Sequence, residues 1–224
     1  ISTEGCIFCD ESGSFSQSHS NRLSIEEQVN VGADIQIKRF KAEKFMSYFQ
    51  AYTNTYDALD SLKAKYEEAL SVPDVVGLII GTRPDCMPST LLNYLAELNR
   101  RTFLVVEYGI ESVYDTTLLR INRGHTHAQT VDAITRTVAH GIQVGAHLIL
   151  GLPGESRTAM LNEAAVLSSL PLTTLKLHQL QLIKGTRMAE EYAANPSDFH
   201  LFTADEYIDL VIDFVERLRP DLVL

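Results

Sequence analysis

Five short apolar runs punctuate the chain: FMSYFQAY (45–52), DVVGLIIG (74–81), TFLVVEYG (102–109), IQVGAHLILG (142–151) and TLKLHQLQLI (174–183), with a weaker one, DLVL, at its end. Between them lie YDALDSLKAKYEEAL, PSTLLNYLAELNRR, HAQTVDAITRTVAH, RTAMLNEAAVLSSL and ADEYIDLVIDFVERL, whose apolar residues recur three and four apart. The first set predicts strands covered on both faces, the second amphipathic helices. An earlier helix, SIEEQVNVGADIQI, opens with Ser24 as N-cap and Glu27 three residues on. Strand–helix alternation of this kind predicts an α/β fold with a parallel sheet. Five or six units fit a partial (βα)6 TIM-like barrel in a single domain over residues 1–224, since eight units usually take about 250 residues.

Polar residues gather where the strands end: Gln50 to Thr55 (QAYTNT), Gly81 to Asp85 (GTRPD), Glu107 to Ser112 (EYGIES) and Gly151 to Glu155 (GLPGE). Ligands of barrels and open α/β sheets bind at the carboxyl ends of strands, so these segments point to one shared site.

Composition narrows the function classes. The 224 residues are 45% hydrophobic and 21% charged, which is ordinary for a globular domain. A formal charge of -10 argues against a broad basic face for DNA or RNA. Three cysteines are too few for a disulfide scaffold, so a cytoplasmic setting is expected. No run of about 18 apolar residues predicts a membrane span, and no leader pattern opens the chain.

Cys6 and Cys9 form a CxxC in GCIFCDESG. An incidental buried pair, a zinc half-site, a redox pair and two ligands of an iron–sulfur cluster all fit a lone CxxC. Glycine and serine around it disfavour the redox pair, and no second CxxC or histidine pair follows for zinc. Cys86, in GTRPDCMP, reads equally well as a small buried residue or as part of the site. In GLPGE, Gly151 and Gly154 suit a strand-to-helix turn or a close backbone approach to a ligand. Arg83 beside Asp85 offers a fork for a carboxylate. Glu107 ends an apolar run, so it is expected to point inward and to need hydrogen bonds. Arg123, His125 and His127 sit together in INRGHTH.

CIFC in a Gly-rich loop, then GTRPD, GIES, INRGHT and GLPGE at successive strand ends, resembles the radical SAM enzymes, and more narrowly the YhcC-like group related to the Elongator catalytic subunit. The likeness runs from Gly5 to about Met188. It implies a [4Fe–4S] cluster held by three cysteines, with Cys6 and Cys9 as the last two ligands. It implies S-adenosylmethionine on the open iron, reductively cleaved to a 5′-deoxyadenosyl radical that abstracts hydrogen from a substrate. An electron donor of flavodoxin or ferredoxin type and a tRNA wobble-uridine substrate follow from the same resemblance, with no DNA and no membrane. Phe8 then packs near the cofactor's adenine. Gln50, Tyr52, Thr53, Asn54, Thr55, Thr82, Arg83 and Asp85 become candidates for its amino-acid end. Glu107, Gly109 and Glu111 become candidates for its ribose, and His147, Leu148, Gly151, Leu152 and Pro153 for its adenine side. Glu111 stands where related sequences carry glutamine. Arg123, His125, His178 and Lys184 are expected to line the substrate mouth.

Ser2 stands where a strict CxxxCxxC would place the first thiolate. The expectation is therefore an N-terminally truncated chain lacking a C-terminal part, with its CIFC segment cluster-free and displaced. A non-catalytic barrel binding zinc or an electron-transfer cluster is the competing class.

Overall fold

The computed structural model describes residues 5–9 and 23–224. Its centre is a parallel sheet of five strands in sequential order: β1 (Phe45–Phe49), β2 (Val75–Thr82), β3 (Phe103–Glu111), β4 (Gln143–Leu150) and β5 (Thr174–Gln179). The sheet curls into an α/β half-barrel. DLVL adds no sixth strand: Val223 makes only an isolated bridge to Thr174.

Helices α1 (Ile25–Phe40), α2 (Leu59–Ser71), α3 (Ser89–Asn99), α5 (His127–Ala139), α6 (Arg157–Ser169) and α8 (Ala204–Val215) match the amphipathic stretches. Two short helices, α4 (Asp115–Arg120) and α7 (Arg187–Ala194), fall in segments too brief to show a periodicity. At the start of α1 the capping box is complete: Ser24 Oγ accepts from Glu27 N, and the Glu27 carboxylate accepts from Ser24 N. Thr126 and Gln129 do the same for α5. Among the described residues no helix is long and apolar enough to cross a membrane.

Side chains alternate across each strand, and this alternation divides the molecule. Leu78, Ile80, Leu104, Val106, Tyr108, Val144, Ala146, Leu148 and Leu150 face the helices and are buried there with Leu91, Leu95, Ile134, Ala164, Leu167 and Phe214. The other set, including Tyr48, Glu107, Gly109, Gly145, His147 and Lys176, faces the lumen. Glycine is required at Gly145, where a Cβ would stand 2.5 Å from Thr174 Oγ1 and 3.0 Å from Glu107 Cγ.

Leu95 is fully buried in the helix-side core. Leu95→Ala is expected to cost about 2–5 kcal/mol, read as a lower denaturant midpoint with unchanged slope.

Candidate active site at the sheet's carboxyl rim

The cysteine segment is anchored on the rim. Ile7 N donates to Ile121 O at 3.1 Å, Met188 N donates to Ile7 O at 2.9 Å, and Asn122 Nδ2 donates to Gly5 O at 2.6 Å. Ile7 is buried with Leu118, Ile121, Ile149, Leu152, Leu180 and Met188, and Phe8 packs at the edge of this cluster. The expected displacement of CIFC is thus not found, because burial of Ile7 and three hydrogen bonds hold residues 5–9 in place. Cys9 N turns back onto Cys6 O at 3.1 Å, which sets the two cysteines side by side.

Cys6 is buried and Cys9 exposed. A hydrogen bond from Cys9 draws the Cys6 thiol below the usual range, helped by Arg123 and opposed by burial. The same bond and burial push Cys9 up. Soft sulfur donors, one of them readily deprotonated, suit iron. Among the described residues no group of three or more His, Cys, Asp or Glu could hold a metal by itself, so neither a complete zinc set nor the cluster's third thiolate lies there.

Arg123 joins the cysteines to the sheet. Its Nη1 lies 3.4 Å from Cys6 Sγ, Nε and Nη2 donate to Gly109 O, and Nη2 pairs with Glu111 Oε1 at 3.3 Å. The chain makes room for this by an irregularity: β3 slips register against β4 between Gly109 and Glu111, and Glu111 takes a left-handed φ of 65°. A Cβ at Gly109 would lie 2.5 Å from Glu111 Oε1 and 2.6 Å from Arg123 Nη2.

Several other candidates spend their polar groups on the protein. Arg83 forks onto Asp85 through Nε (2.9 Å) and Nη2 (2.8 Å) and holds that carboxyl below its ordinary range against the cost of burial. Asn54 Nδ2 donates to Phe49 O and Gly81 O, both at 2.9 Å, lacing β1 to β2. Thr55 and Thr82 share a hydroxyl hydrogen bond, and Thr55 also donates to Cys86 O. These five form a scaffold beneath the rim. Gln50 and Tyr52 are exposed and Thr53 half-buried.

Leu148 points into the helix-side core, which leaves only its backbone for the lumen side. His125 is buried behind the two arginines, and burial and Arg123 push its ring down to about 3, so it stays neutral. Lys184 lies on an exposed loop, and His178 is exposed at the sheet edge. Cys86 is buried, and burial pushes its thiol up.

Inside the lumen Glu107 Oε2 accepts from Tyr48 OH (2.7 Å), His147 Nε2 (2.7 Å) and Lys176 Nζ (3.2 Å). Despite burial, the bonds from His147 and Tyr48 hold its carboxyl at about 2. The inward position and hydrogen bonding expected of Glu107 are found. Tyr48 and Lys176 were not singled out from sequence, although a lysine two residues before His178 in TLKLHQ shares its face.

GLPGE hides a second feature. Ser112 Oγ lies 2.6 Å from Glu155 Oε1 and 3.2 Å from Glu163 Oε1, and Val113 N donates to Glu163 Oε1 at 2.9 Å. One hydroxyl proton cannot serve two carboxylates. Burial and the neighbouring Glu155 push Glu163 up to about 8, so a protonated Glu163 completes the chain. This clasp fixes the end of β3 to the turn after β4. Gly151 and Gly154 adopt φ values of 94° and 93° in that turn.

Comparison with known proteins decides the family. The sequence model of the Radical SAM superfamily matches residues 3–164, and the Radical_SAM C-terminal domain matches 172–224. The chain belongs to the radical SAM superfamily. It is 37% identical to Bacillus subtilis YtqA over 220 residues, 98% of this chain and 68% of YtqA. It is 36% identical to Escherichia coli YhcC over 195 residues, 87% of the chain and 62% of YhcC, which places it in the YhcC-like radical SAM group. The tRNA uridine(34) acetyltransferase of Methanocaldococcus infernus is 27% identical over 176 residues, 75% of this chain and 32% of that protein. The solved structure of Methanocaldococcus infernus Elp3 with an N-terminal deletion superposes with a TM-score of 0.75 at 18% identity, over 90% of this chain and 52% of that one. It shares the radical SAM half-barrel. The superfamily's cofactors are a [4Fe–4S] cluster and S-adenosylmethionine, reduced from outside, and the Cys6–Cys9 pair fits the thiolate part of that requirement.

Two outcomes follow from the geometry. Gly109→Ala should push Arg123 and Glu111 apart and cost about 1–3 kcal/mol, whereas Gly32→Ala, on an open helix face, should stabilise by about 0.5–1 kcal/mol. Denaturant midpoints of the two variants check both signs. For Glu163 the folded pKa lies above the unfolded one, so folding takes up a proton between about 4.5 and 8. Its contribution is full below pH 4.5 and is lost as pH rises to about 8, at up to about 1.4 kcal/mol per pH unit. Glu163→Gln should flatten that fall in a pH series of denaturant midpoints. Equal slopes would show that the carboxyl is not protonated in the fold.

Proposed function

We propose that the protein is a radical SAM enzyme acting on a wobble-uridine side chain of tRNA in the cytoplasm, with a flavodoxin- or ferredoxin-type protein as electron donor. One observation carries the reading: a docked CxxC pair backed by a buried arginine at the carboxyl rim of a parallel half-barrel. Cys6 and Cys9 supply two of the cluster's three thiolates. When bound, the cluster and S-adenosylmethionine supply a one-electron cleavage that yields a 5′-deoxyadenosyl radical.

The chain's own residues position and protect. Arg123 sets positive charge against Cys6 and offsets its thiolate. Phe8 and the Gly151–Pro153 turn offer an apolar flank for an adenine, and the glycine brings backbone close. Glu107, with Oε2 occupied by three donors, has Oε1 for a ribose hydroxyl. The buried Ile7 cluster sets an apolar wall next to the buried Cys6. Uridine enters through the likeness to the tRNA uridine(34) acetyltransferase.

Anaerobic reconstitution of the full-length protein should give a [4Fe–4S] complement and, after dithionite reduction, cleavage of S-adenosylmethionine. Cys6→Ser and Cys9→Ser should each lose the cluster and that cleavage. Wobble-uridine nucleosides in tRNA from a deletion strain should differ from wild type. An unchanged nucleoside profile would move the substrate away from tRNA.

A further inference from the structure

Protons can be counted in the clasp at the end of β3. Ser112 Oγ accepts from Tyr114 N at 3.1 Å and stands 2.6 Å from Glu155 Oε1 and 3.2 Å from Glu163 Oε1. Its single hydroxyl proton can go to only one of the two carboxyl groups. Glu163 Oε1 also accepts from Val113 N at 2.9 Å, and neither Oε2 has a hydrogen-bond partner among the described residues. Ser112 and Glu163 are fully buried and Glu155 is 9% exposed. Two ionised carboxylates on one hydroxyl in such a place would repel each other without relief from water. The set closes when one carboxyl is protonated: Glu163 donates to Ser112, and Ser112 donates to Glu155.

Among the described residues no lysine or arginine offsets the pair. Tyr114 faces it from the start of α4 with its hydroxyl turned to Ala159 O, and Thr117 favours the ionised form of Glu155. Arg120 approaches the turn at Gly154 and pairs with Asp198. On the α8 side Glu155 borders a cavity with Glu206, Asp209 and His200, where Arg157 is taken by Asp213. Burial and Glu155 push Glu163 up to about 8, so the shared proton is lost just above neutral pH.

The clasp joins two segments of the rim. Ser112 follows Glu111, which holds Arg123 at 3.3 Å, and Ser112 N folds back onto Ile110 O at 2.8 Å. Glu155 closes the turn that begins at Gly151, with its N on Leu152 O at 3.2 Å. We propose that Glu163 is a positioning residue for the adenosyl part of the cofactor: the proton it shares through Ser112 with Glu155 holds the Gly151–Pro153 turn against the end of β3, and an adenosyl ligand binds only this closed form. The role rests on the reading of that turn as the adenine flank. Losing the proton sets two buried negative charges against each other and loosens the turn. Binding is therefore full while the pair is protonated and falls as pH rises past that point.

The test is binding rather than turnover. Full-length protein, reconstituted with its cluster, is titrated calorimetrically with 5′-methylthioadenosine, which carries adenine and ribose but no amino-acid end. Wild-type affinity should fall roughly tenfold from about pH 7 to about pH 9, following the protonated fraction of Glu163. Glu163→Gln, neutral throughout, should keep the wild-type affinity of the lower pH at both. Ser112→Ala, which removes the shared hydroxyl, should bind weakly at both. Thermal unfolding confirms that each variant is folded. A level wild-type profile, the same fall in Glu163→Gln, or weak binding by folded Glu163→Gln overturns the assignment while leaving the turn as adenine flank. Ser112→Ala with wild-type affinity and slope overturns it as well. A wild type that binds no 5′-methylthioadenosine at either pH overturns the reading of the turn and this assignment with it.

Discussion

A guanidinium taken out of water must be surrounded by acceptors, and Arg123 meets that demand by drawing three separate segments together. The carbonyl of Gly109, the carboxylate of Glu111 and the sulfur of Cys6 all lie on it. The other features of the rim follow from this single buried charge. Gly109 has no side chain because the guanidinium occupies that space, and Glu111 accepts a left-handed backbone in order to reach it. The cysteine segment is held because its thiol faces a charge that can stabilise a thiolate, and its neighbour Ile7 fills an apolar hollow. Breaking a buried pair of this kind by removing one partner is far more costly than the pair's net worth.

Charge pairing is organised in layers down the lumen. Arg83 with Asp85 and Arg123 with Glu111 lie at strand ends, and Lys176 with Glu107 lies further inside. Each cation is matched by a carboxylate from the protein, so the lumen is polar without a large net field. The acidic clasp of Ser112, Glu155 and Glu163 stands apart, on the helix side, and works by sharing a proton instead of by pairing with a cation.

Much of this was legible in the sequence because parallel strands buried on both faces leave continuous apolar runs, and GTRPD, GIES and GLPGE mark where each one ends. The five strands fall inside the five runs with small differences at the ends, such as β3 extending through Glu111. What sequence could not show is which polar groups are already taken. Arg83 and Asp85 read as a fork for a ligand and turn out to satisfy each other. Leu148 stands in a motif segment yet faces the helices, because strand alternation, not motif membership, sets its direction. Glu163 gave no signal at all: a glutamate in an amphipathic helix looks solvated until its partners, about fifty residues away, are placed beside it. Tyr48 and Lys176 could have been found by following alternate positions through the first and last runs.

The sequential strand order has a consequence for how the chain reaches its structure. Every strand lies beside the one made just before it, so the sheet extends by addition at one edge and no strand waits for a distant partner to insert between two others. Helix-side packing completes unit by unit, whereas the lumen's charges are matched only when β5 arrives with Lys176. Until then Glu107 has Tyr48 and His147 as partners, without the ammonium of Lys176. The last strand in the chain is therefore the one that brings the ammonium matching the carboxylate at the centre of the sheet.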